Sequence, residues 1–239
     1  MKQKKRFCVI GLGNFGFHVA KKLYEDGHEV IAIDTDQEKV QAVHDHVSYA
    51  ILGDAGSKEF LIGQGIGEMD AVIVSTGERS DLSTLITLHL KELNVPRILV
   101  KAISEDHGRI LRKVGASDVI FPEKEMAIRT ARSMASPNVL EFIPMAEDYS
   151  LSEAAPPAHF IGQTLAQLDL RREYQVTVIG IKDVLTDQLV MVPPPDYLIK
   201  ESDLLILIGK TDDVDKALSN KTSPPAGVSL LEKLRSLLR

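Results

Sequence analysis

Three closely spaced glycines follow the first apolar segment of the chain. Residues 7–10 are Phe, Cys, Val and Ile, and Gly11, Gly13 and Gly16 come directly after them. Glycines at this spacing also occur in ordinary turns, so the motif alone is a weak signal. Here it follows a predicted strand, opens a predicted helix and is trailed by an acid, Asp34, at the end of the next apolar run. That context predicts a Rossmann-type nucleotide-binding domain.

Each glycine of this loop has its own physical role. Gly11 permits a tight turn, Gly13 lets the backbone approach a phosphate, and Gly16 lets the next helix pack close to the sheet. The free amides and the dipole of that helix then attract a pyrophosphate. Asn14 and Phe15 lie between these glycines and are candidate nucleotide-binding residues with them.

An acidic residue closes the second predicted strand. Asp34 stands where a carboxylate hydrogen-bonds a ribose hydroxyl, and Thr35 beside it is a further candidate. Because the same charge repels a 2′-phosphate, the sequence favours NAD, ADP or ATP over NADP. Asp36 is equally consistent with a ligand contact and with a cap of the next helix.

Candidate ligand-contacting residues also lie where the third, fourth and fifth predicted strands end, in the order Asp54, Ala55, Thr76, Gly77 and Lys101. Ligands of open α/β sheets bind at the carboxyl ends of the strands. We therefore expect Asp54 to face a base, the backbone of Thr76 and Gly77 to face ribose or phosphate, and Lys101 to meet phosphate charge. Two alternatives stay open: Asp54 as a helix cap, and Lys101 as a solvated strand-end lysine.

Short β-branched runs alternate with amphipathic segments through the first half of the chain. The predicted strands are residues 7–10, 29–34, 49–52, 71–75, 98–101 and 119–121. The predicted helices are residues 15–25, 37–45, 58–63, 82–92, 107–113 and 126–134. This alternation predicts an α/β fold with a Rossmann-like, doubly wound parallel sheet.

The pattern changes from about residue 139 onward, where prolines separate short strand candidates at 176–182, 189–192 and 204–209. We expect a small α+β C-terminal lobe here. The predicted division is residues 1–138 for the nucleotide-binding lobe, 139–220 for the C-terminal lobe, and 221–239 for a linker and a terminal amphipathic helix.

Composition argues against several classes of protein. A formal net charge of −6 gives no basic surface for a phosphate backbone, so nucleic acid is not an expected partner. The single cysteine, Cys8, excludes an intramolecular disulfide. The apolar runs are far shorter than the roughly 18 residues that span a bilayer, which favours a cytoplasmic protein.

Catalytic motifs are missing from the sequence. The seven histidines have no metal-ligand spacing, and neither a Gly-x-Ser-x-Gly elbow nor a Gly-Lys-Ser/Thr phosphate loop occurs. We therefore expect a module that binds nucleotide and transmits its presence, and not an enzyme.

Several longer stretches follow one known pattern. They include Phe-Cys-Val-Ile-Gly-Leu-Gly-Asn-Phe-Gly at 7–16, Val-Ile-Ala-Ile-Asp-Thr-Asp at 30–36, Gly-Asp-Ala at 53–55 and Lys-Val-Gly-Ala-Ser-Asp at 113–118. Others lie at 85–102, 122–126, 162–170 and 204–209. Together they resemble the RCK family, the regulators of K⁺ conductance, and within it the cytosolic subunits of Trk/Ktr potassium uptake systems. The resemblance spans about residues 5 to 218.

This resemblance implies a function. It implies a regulatory subunit with an RCK N-lobe and C-lobe, peripheral on the inner face of the membrane, that binds a Trk/Ktr-type potassium-translocating membrane subunit. Its dimers would assemble into an octameric ring whose shape changes with bound ATP or ADP, or NAD or NADH. It also places Glu123 near the terminal phosphates of a ring neighbour, with a divalent cation.

One position departs from the family pattern. Many Trk/Ktr relatives carry arginine where this chain has Asn14, which cannot neutralise a γ-phosphate. The resemblance therefore implies weaker discrimination between ATP and ADP.

Two other interpretations of the nucleotide site are an NAD-dependent oxidoreductase and a nucleotide sensor with another partner. Whether the C-terminal lobe binds a second ligand such as cyclic di-AMP is left open.

Overall fold

The computed structural model describes residues 4–135, 138–145 and 148–219. The described residues divide into two compact units, one on each side of the bond between Glu123 and Lys124. Each unit has its own sheet and its own apolar core.

The first unit alternates strands with helices. Its strands are β1 (Arg6–Ile10), β2 (Glu29–Asp34), β3 (Tyr49–Leu52), β4 (Ala71–Val74), β5 (Ile98–Lys101) and β6 (Asp118–Ile120). Its helices are α1 (Asn14–Glu25), α2 (Gln37–Val43), α3 (Lys58–Gly63), α4 (Ser80–Glu92) and α5 (Glu105–Val114). Helix α6 (Pro122–Ala135) starts at the end of this unit.

The six strands form one parallel sheet in the order β3-β2-β1-β4-β5-β6. The direction of winding reverses between β1 and β4, which pair directly with Phe7 opposite Ala71. In doubly wound sheets the loops diverge at this point and leave a crevice beyond the carboxyl ends of the strands. The loops that follow β1 and β4 therefore meet where a ligand is expected.

Apolar clusters cover both faces of this sheet. Along β1, Cys8 and Ile10 belong to one cluster and Val9 to the other, as the two-residue repeat of a strand requires. Strands buried on both faces consist of continuous apolar residues, which is the pattern of Ala71–Val74. Burial of Cys8 in the core raises the pKa of its thiol, so this cysteine is an unreactive core residue.

The second unit is built on an antiparallel sheet. Its strands are β7 (Val139–Pro144), β8 (Tyr149–Ala154), β9 (Thr177–Asp183), β10 (Gln188–Met191) and β11 (Asp203–Lys210), in the order β10-β9-β11-β8-β7. The short helices α7 (Leu165–Leu168) and α8 (Leu170–Glu173) precede β9, and α9 (Thr211–Leu218) follows β11. Its core contains Phe142, Phe160, Ile181 and Leu205.

The predicted elements of the first unit are confirmed, with small changes at their ends. The predicted helix at 37–45 stops at Val43 and continues as a single 3₁₀ turn, and helix α6 is longer than predicted. In the second unit the three predicted strands are present, whereas β7, β8 and the three short helices were not predicted. The predicted linker and terminal helix lie outside the described residues, and the predicted domain boundary at residue 138 stays a prediction.

Among the residues that the structure describes, none of the helices has both the length and the apolar character that a bilayer span requires.

Candidate nucleotide-binding site

Two of the three loop glycines are held by close packing of backbone against backbone. Gly11 has a positive φ of 91°, and a Cβ atom there would overlap the carbonyl oxygen of Ser75. A Cβ atom on Gly16 would overlap the carbonyl oxygen of Gly11. The loop after β1 is thus packed tightly against α1 and against the loop after β4, so only glycine fits at either position.

The middle glycine faces open space instead. Apart from Gly13 and its two chain neighbours, no described residue has an atom within 4 Å of a Cβ placed on Gly13, whose φ of −63° suits any residue. Gly13 is also the N-cap of α1 and has no side chain to satisfy the amides of the first turn. Those amides lack partners within the helix and are available to an anion. Asn14 at the start of α1 is exposed, and Phe15 is half-buried against the core.

Asp34 ties the glycine loop to the end of β2. Its Oδ2 accepts a hydrogen bond from the Leu12 amide at 2.6 Å, and its Oδ1 accepts one from the Asp36 amide at 2.9 Å. Each carboxylate oxygen has a second lone pair, so these bonds leave capacity for a ribose hydroxyl. The structure thus gives Asp34 a local structural role, and its contact with ribose stays a prediction. The side chain of Thr35 is exposed at the same edge.

Of the two aspartates considered as helix caps, Asp36 caps its helix and Asp54 does not. Asp36 caps α2, since its side chain accepts from the Glu38 amide at 2.9 Å. Asp54 does not cap α3, because Ser57 holds that position and accepts from the Phe60 amide at 3.2 Å. Asp54 is exposed and accepts from the Gly56 amide at 2.8 Å. The loop after β3 therefore keeps a carboxylate at the carboxyl edge, beside the buried Ala55.

Thr76, in the loop after β4, has an unsatisfied hydroxyl group. Its Oγ1 is buried and has no hydrogen-bond partner within the described part of the chain. A buried hydroxyl without a partner costs free energy, so such groups are expected to find a partner when a ligand binds. Gly77 follows it with a φ of 67°, and in the described part of the chain no residue other than its two chain neighbours has an atom within 4 Å of its Cβ position.

Lys101 and Glu123 form an ion pair, which the sequence did not indicate. Lys101 Nζ at the end of β5 lies 2.5 Å from Glu123 Oε1 at the start of α6. The Lys101 side chain is only 13% exposed, so it is not a solvated strand-end lysine. The hydrogen bond from Lys101 lowers the pKa of Glu123. Among the described residues, no three His, Cys, Asp or Glu side chains are grouped so as to hold a metal ion.

A buried polar pair near the site was also missed by the sequence. Ser83 on α4 and His107 on α5 are 2% and 6% exposed, and Ser83 Oγ lies 3.1 Å from His107 Nε2. His107 is one of the seven histidines without metal-ligand spacing, and that spacing predicts no other role for it. The Ser104 hydroxyl accepts from the His107 amide at 3.2 Å and caps α5, but this cap marks only the start of the helix and does not indicate the contact with Ser83.

The residues present fit a nucleotide. The edge combines a glycine loop with an open face at Gly13, the free amides of α1, a carboxylate at the end of β2 and an unpartnered hydroxyl on Thr76. These groups suit a pyrophosphate and a ribose. Asp54, Lys101 and Glu123 lie at the carboxyl ends of β3, β5 and β6, along the same edge of the sheet.

Solved structures share this fold. The crystal structure of the GsuK RCK domain aligns with a TM-score of 0.63 at 16% identity, covering 93% of this chain and 49% of that one. The structure of the GsuK channel bound to NAD aligns with a TM-score of 0.52 at 22% identity, covering 91% of this chain and 38% of that one. This chain thus spans about half or less of those proteins. The predicted α/β fold with a small C-terminal lobe is confirmed.

Sequence comparison is more specific. The TrkA-N domain model matches residues 7–122, and the TrkA-C domain model matches residues 152–221. Ktr system potassium uptake protein A of Bacillus subtilis (strain 168) is 36% identical over 214 residues, which cover 90% of this chain and 96% of the relative. Ktr system potassium uptake protein C of the same organism is 38% identical over 213 residues, covering 89% and 96%. The chain therefore belongs to the family of Ktr system potassium uptake proteins, with a TrkA-N domain followed by a TrkA-C domain.

Proposed function

We propose that this chain is a nucleotide-binding regulatory subunit of a potassium uptake system, and not an enzyme. The glycine loop carries the proposal: Gly11 and Gly16 are packed too closely for a side chain, while Gly13 is open above the first turn of α1. Such a loop holds phosphate through backbone amides. Relatives of this chain in Bacillus subtilis are named as potassium uptake proteins, which supports potassium transport as the process that the chain serves.

The proposed ligand is an adenine nucleotide, either ATP and ADP or NAD and NADH. The amides at Gly13 and at the start of α1 would hold phosphates, Asp34 the ribose, and Asp54 with Ala55 the base. The unpartnered Thr76 hydroxyl would gain a hydrogen bond from the same ligand. The GsuK channel was solved with NAD bound, which supports this class of ligand.

The proposed partner is a Trk/Ktr-type potassium-translocating membrane subunit. The chain would lie in the cytoplasm against the inner face of the membrane, as dimers that assemble into an octameric ring. Glu123 would lie near the phosphates of a neighbouring protomer with a divalent cation, and Lys101 would have to release it, since the two form an ion pair within one chain.

Regulation follows from differential binding. A nucleotide shifts an equilibrium between two ring shapes only by as much as its affinity differs between them. A site that binds each nucleotide without reacting with it, and whose ring takes a different shape with each one, is sufficient for regulation. No chemical step on the nucleotide is required.

Potassium flux into vesicles tests the proposal. Vesicles containing the membrane subunit would be assayed with and without this chain, at saturating ATP, ADP or NAD. We expect this chain to change the flux and the change to depend on the nucleotide. Gly13→Val should remove the nucleotide dependence, whereas Gly63→Val, at an equally open glycine on α3, should retain it. Flux that is unaffected by the chain would contradict the proposal.

A further inference from the structure

A buried histidine joins the starts of α4 and α5. His107 Nε2 lies 3.1 Å from Ser83 Oγ, and that hydroxyl donates to the carbonyl oxygen of Ser80 at 3.1 Å. The other ring nitrogen, Nδ1, accepts a hydrogen bond from the Ile103 amide at 3.4 Å. Because Ile103 offers an N–H and the Ser83 hydroxyl donates elsewhere, the partners assign a neutral imidazole with its proton on Nε2.

This imidazole holds a part of the chain that borders the glycine loop. Helix α4 begins at Ser80, and Arg79 before it provides no side-chain cap. The bond from His107 to Ser83 therefore stabilises a first turn that lacks the usual cap. That turn continues from the loop of Thr76 and Gly77, and the preceding carbonyl of Ser75 packs directly against Gly11.

We propose that His107 is a positioning residue for the nucleotide site, whose neutral imidazole keeps the loop after β4 in its binding shape, so that proton uptake by His107 and nucleotide binding oppose each other. This proposal rests on the proposed function above, and it adds a proton as a second regulator of the same site. His107 itself is not placed in contact with the nucleotide.

Protonation would break one of the two ring contacts. An imidazolium carries N–H groups on both nitrogens, so Nδ1–H would face the Ile103 N–H, and two donors cannot bond to each other. The cation would also be buried, and burial lowers the pKa of His107 while the backbone carbonyl of Ser80 opposes that effect. In this proposal both strains are relieved when the starts of α4 and α5 move apart.

The charged groups around His107 do not offset the cost of burying the imidazolium. The direct ring partners are uncharged: the Ser80 carbonyl, the Ser83 hydroxyl and the Ile103 amide. The titratable side chains near it in sequence and on the neighbouring elements α4, β5, α5 and β6 are Glu78, Arg79, Asp81, His89, Lys91, Glu92, Lys101, Glu105, Asp106, Arg109, Arg112, Lys113 and Asp118. Lys101 is paired with Glu123, Arg109 with Asp106, and Asp118 with Arg97.

The sign of the effect follows from linkage. A histidine whose pKa is lowered in the ordered site binds its proton more weakly there than in the loosened site. Nucleotide affinity is therefore complete above the ordinary pKa of histidine, about 6.5, and falls as the pH falls below it. The loss is about tenfold for each unit by which nucleotide binding lowers the pKa of His107.

Calorimetric titrations with ADP and, separately, with NAD test this between about pH 5.5 and pH 8. The wild type should bind more weakly as the pH falls, whereas His107→Gln, which cannot titrate, should lose that dependence. ADP has a titrating terminal phosphate, and the ratio of the two proteins' affinities removes its contribution. His28→Gln is the control, since His28 Nδ1 also accepts a backbone N–H, from Lys5, at the amino end of the sheet. It should keep the wild-type profile.

Nuclear magnetic resonance of the wild-type imidazole gives a second measurement that needs no variant. Reciprocity requires that saturating nucleotide lower the pKa of His107, and a purely structural histidine would show no such shift. An unchanged pKa, or equal pH dependence in the wild type and His107→Gln, would overturn the proposal. Absence of binding of either nucleotide at pH 8 would instead contradict the proposed function.

Discussion

At the scale of single residues, two of the loop glycines, Gly13 and Gly16, allow protein stability to be separated from ligand binding. Gly13→Ala adds a methyl group into open space, so its stability should change by less than about 1 kcal/mol, while nucleotide affinity should fall at least tenfold, or about 1.4 kcal/mol. Gly16→Ala forces a methyl group into the carbonyl of Gly11 and should destabilise the fold by about 1–3 kcal/mol or more. Thermal unfolding and calorimetric titration with ADP measure the two effects.

Gly63→Ala is the matched control for this pair. Gly63 is also open, lies on α3 outside the site, and should change neither binding nor stability by more than about 1 kcal/mol. If Gly13→Ala binds ADP as tightly as the wild type, the phosphates do not approach this loop, and the site assignment is wrong.

Asn14 determines a second prediction, about selectivity. The side chain is exposed at the first residue of α1 and carries no positive charge for a γ-phosphate. We therefore expect ATP and ADP to raise the melting temperature by similar amounts. Asn14→Arg should shift the preference toward ATP, and Asn14→Gln should not. A strongly ATP-selective shift in the wild type would show that another cation reads the terminal phosphate.

The sequence predicts the site at this scale only where a residue's role depends on its neighbours along the chain. The glycine roles depend on the order of strand, turn and helix, and the structure agrees with them at Gly11 and Gly16. The pairing of Lys101 with Glu123, 22 residues apart, and of Ser83 with His107, 24 residues apart, depends on which strands become neighbours. No spacing in the sequence indicates either pair.

At the scale of elements, β7 and β8 show why part of the C-terminal lobe was not predicted. In β8 the buried face is formed by Ser150, Ser152 and Ala154, while Tyr149 is 47% exposed on the other face. Two of the three inward positions are therefore polar, which breaks the usual alternation with apolar residues inside. In β7 the pairing with β8 shifts register between Val139 and Glu141, which breaks the two-residue repeat.

The same two strands bring like charges together, which gives a third prediction. Glu153 on β8 lies opposite Glu141 on β7, and burial followed by the charge of Glu141 raises the pKa of Glu153, against a smaller opposing effect of Lys182. A carboxyl group with a raised pKa stabilises the fold when it is protonated. That stabilisation is complete below its ordinary pKa of 4.5 and is lost as the pH rises through the raised value.

Glu153→Gln should therefore be more stable than the wild type at neutral pH, with the difference vanishing near pH 4. Because the side chain is partly exposed, the gain should be less than about 1 kcal/mol. Melting temperatures measured across this range test it, with the exposed Glu173→Gln as control. A gain that persists unchanged at pH 4 would mean that the ionisation of Glu153, through its burial and the charge of Glu141, is not its cause.

At the scale of the whole molecule, the fold was predictable because its signals are spread along the chain. The strand and helix pattern of the first unit and the resemblance over most of the sequence agree with the two matched domain models. The predicted boundary at residue 138 and the proposed ring, unlike the fold, have no such signal along the chain. They depend on how separate units and copies meet, and hydrophobic periodicity within one chain carries no information about that.

The last prediction concerns that assembled state. If nucleotide controls potassium flux through this subunit, nucleotide binding and binding to the membrane subunit must be coupled, and the coupling is reciprocal. The nucleotide that most tightens binding to the membrane subunit should itself bind more tightly, by the same factor, when that subunit is present. A factor of about 5–150 is typical of such coupling.

Two affinity measurements test this equality. Nucleotide affinity measured with and without the membrane subunit in nanodiscs gives one factor, and the affinity for the membrane subunit measured with and without nucleotide gives the other. Gly13→Val, which blocks the site, should bind the membrane subunit with an affinity that no nucleotide changes. Unequal factors in the wild type would mean that the two measurements do not report one conformational equilibrium. A factor of one in both would mean that nucleotide binding does not control binding to the membrane subunit.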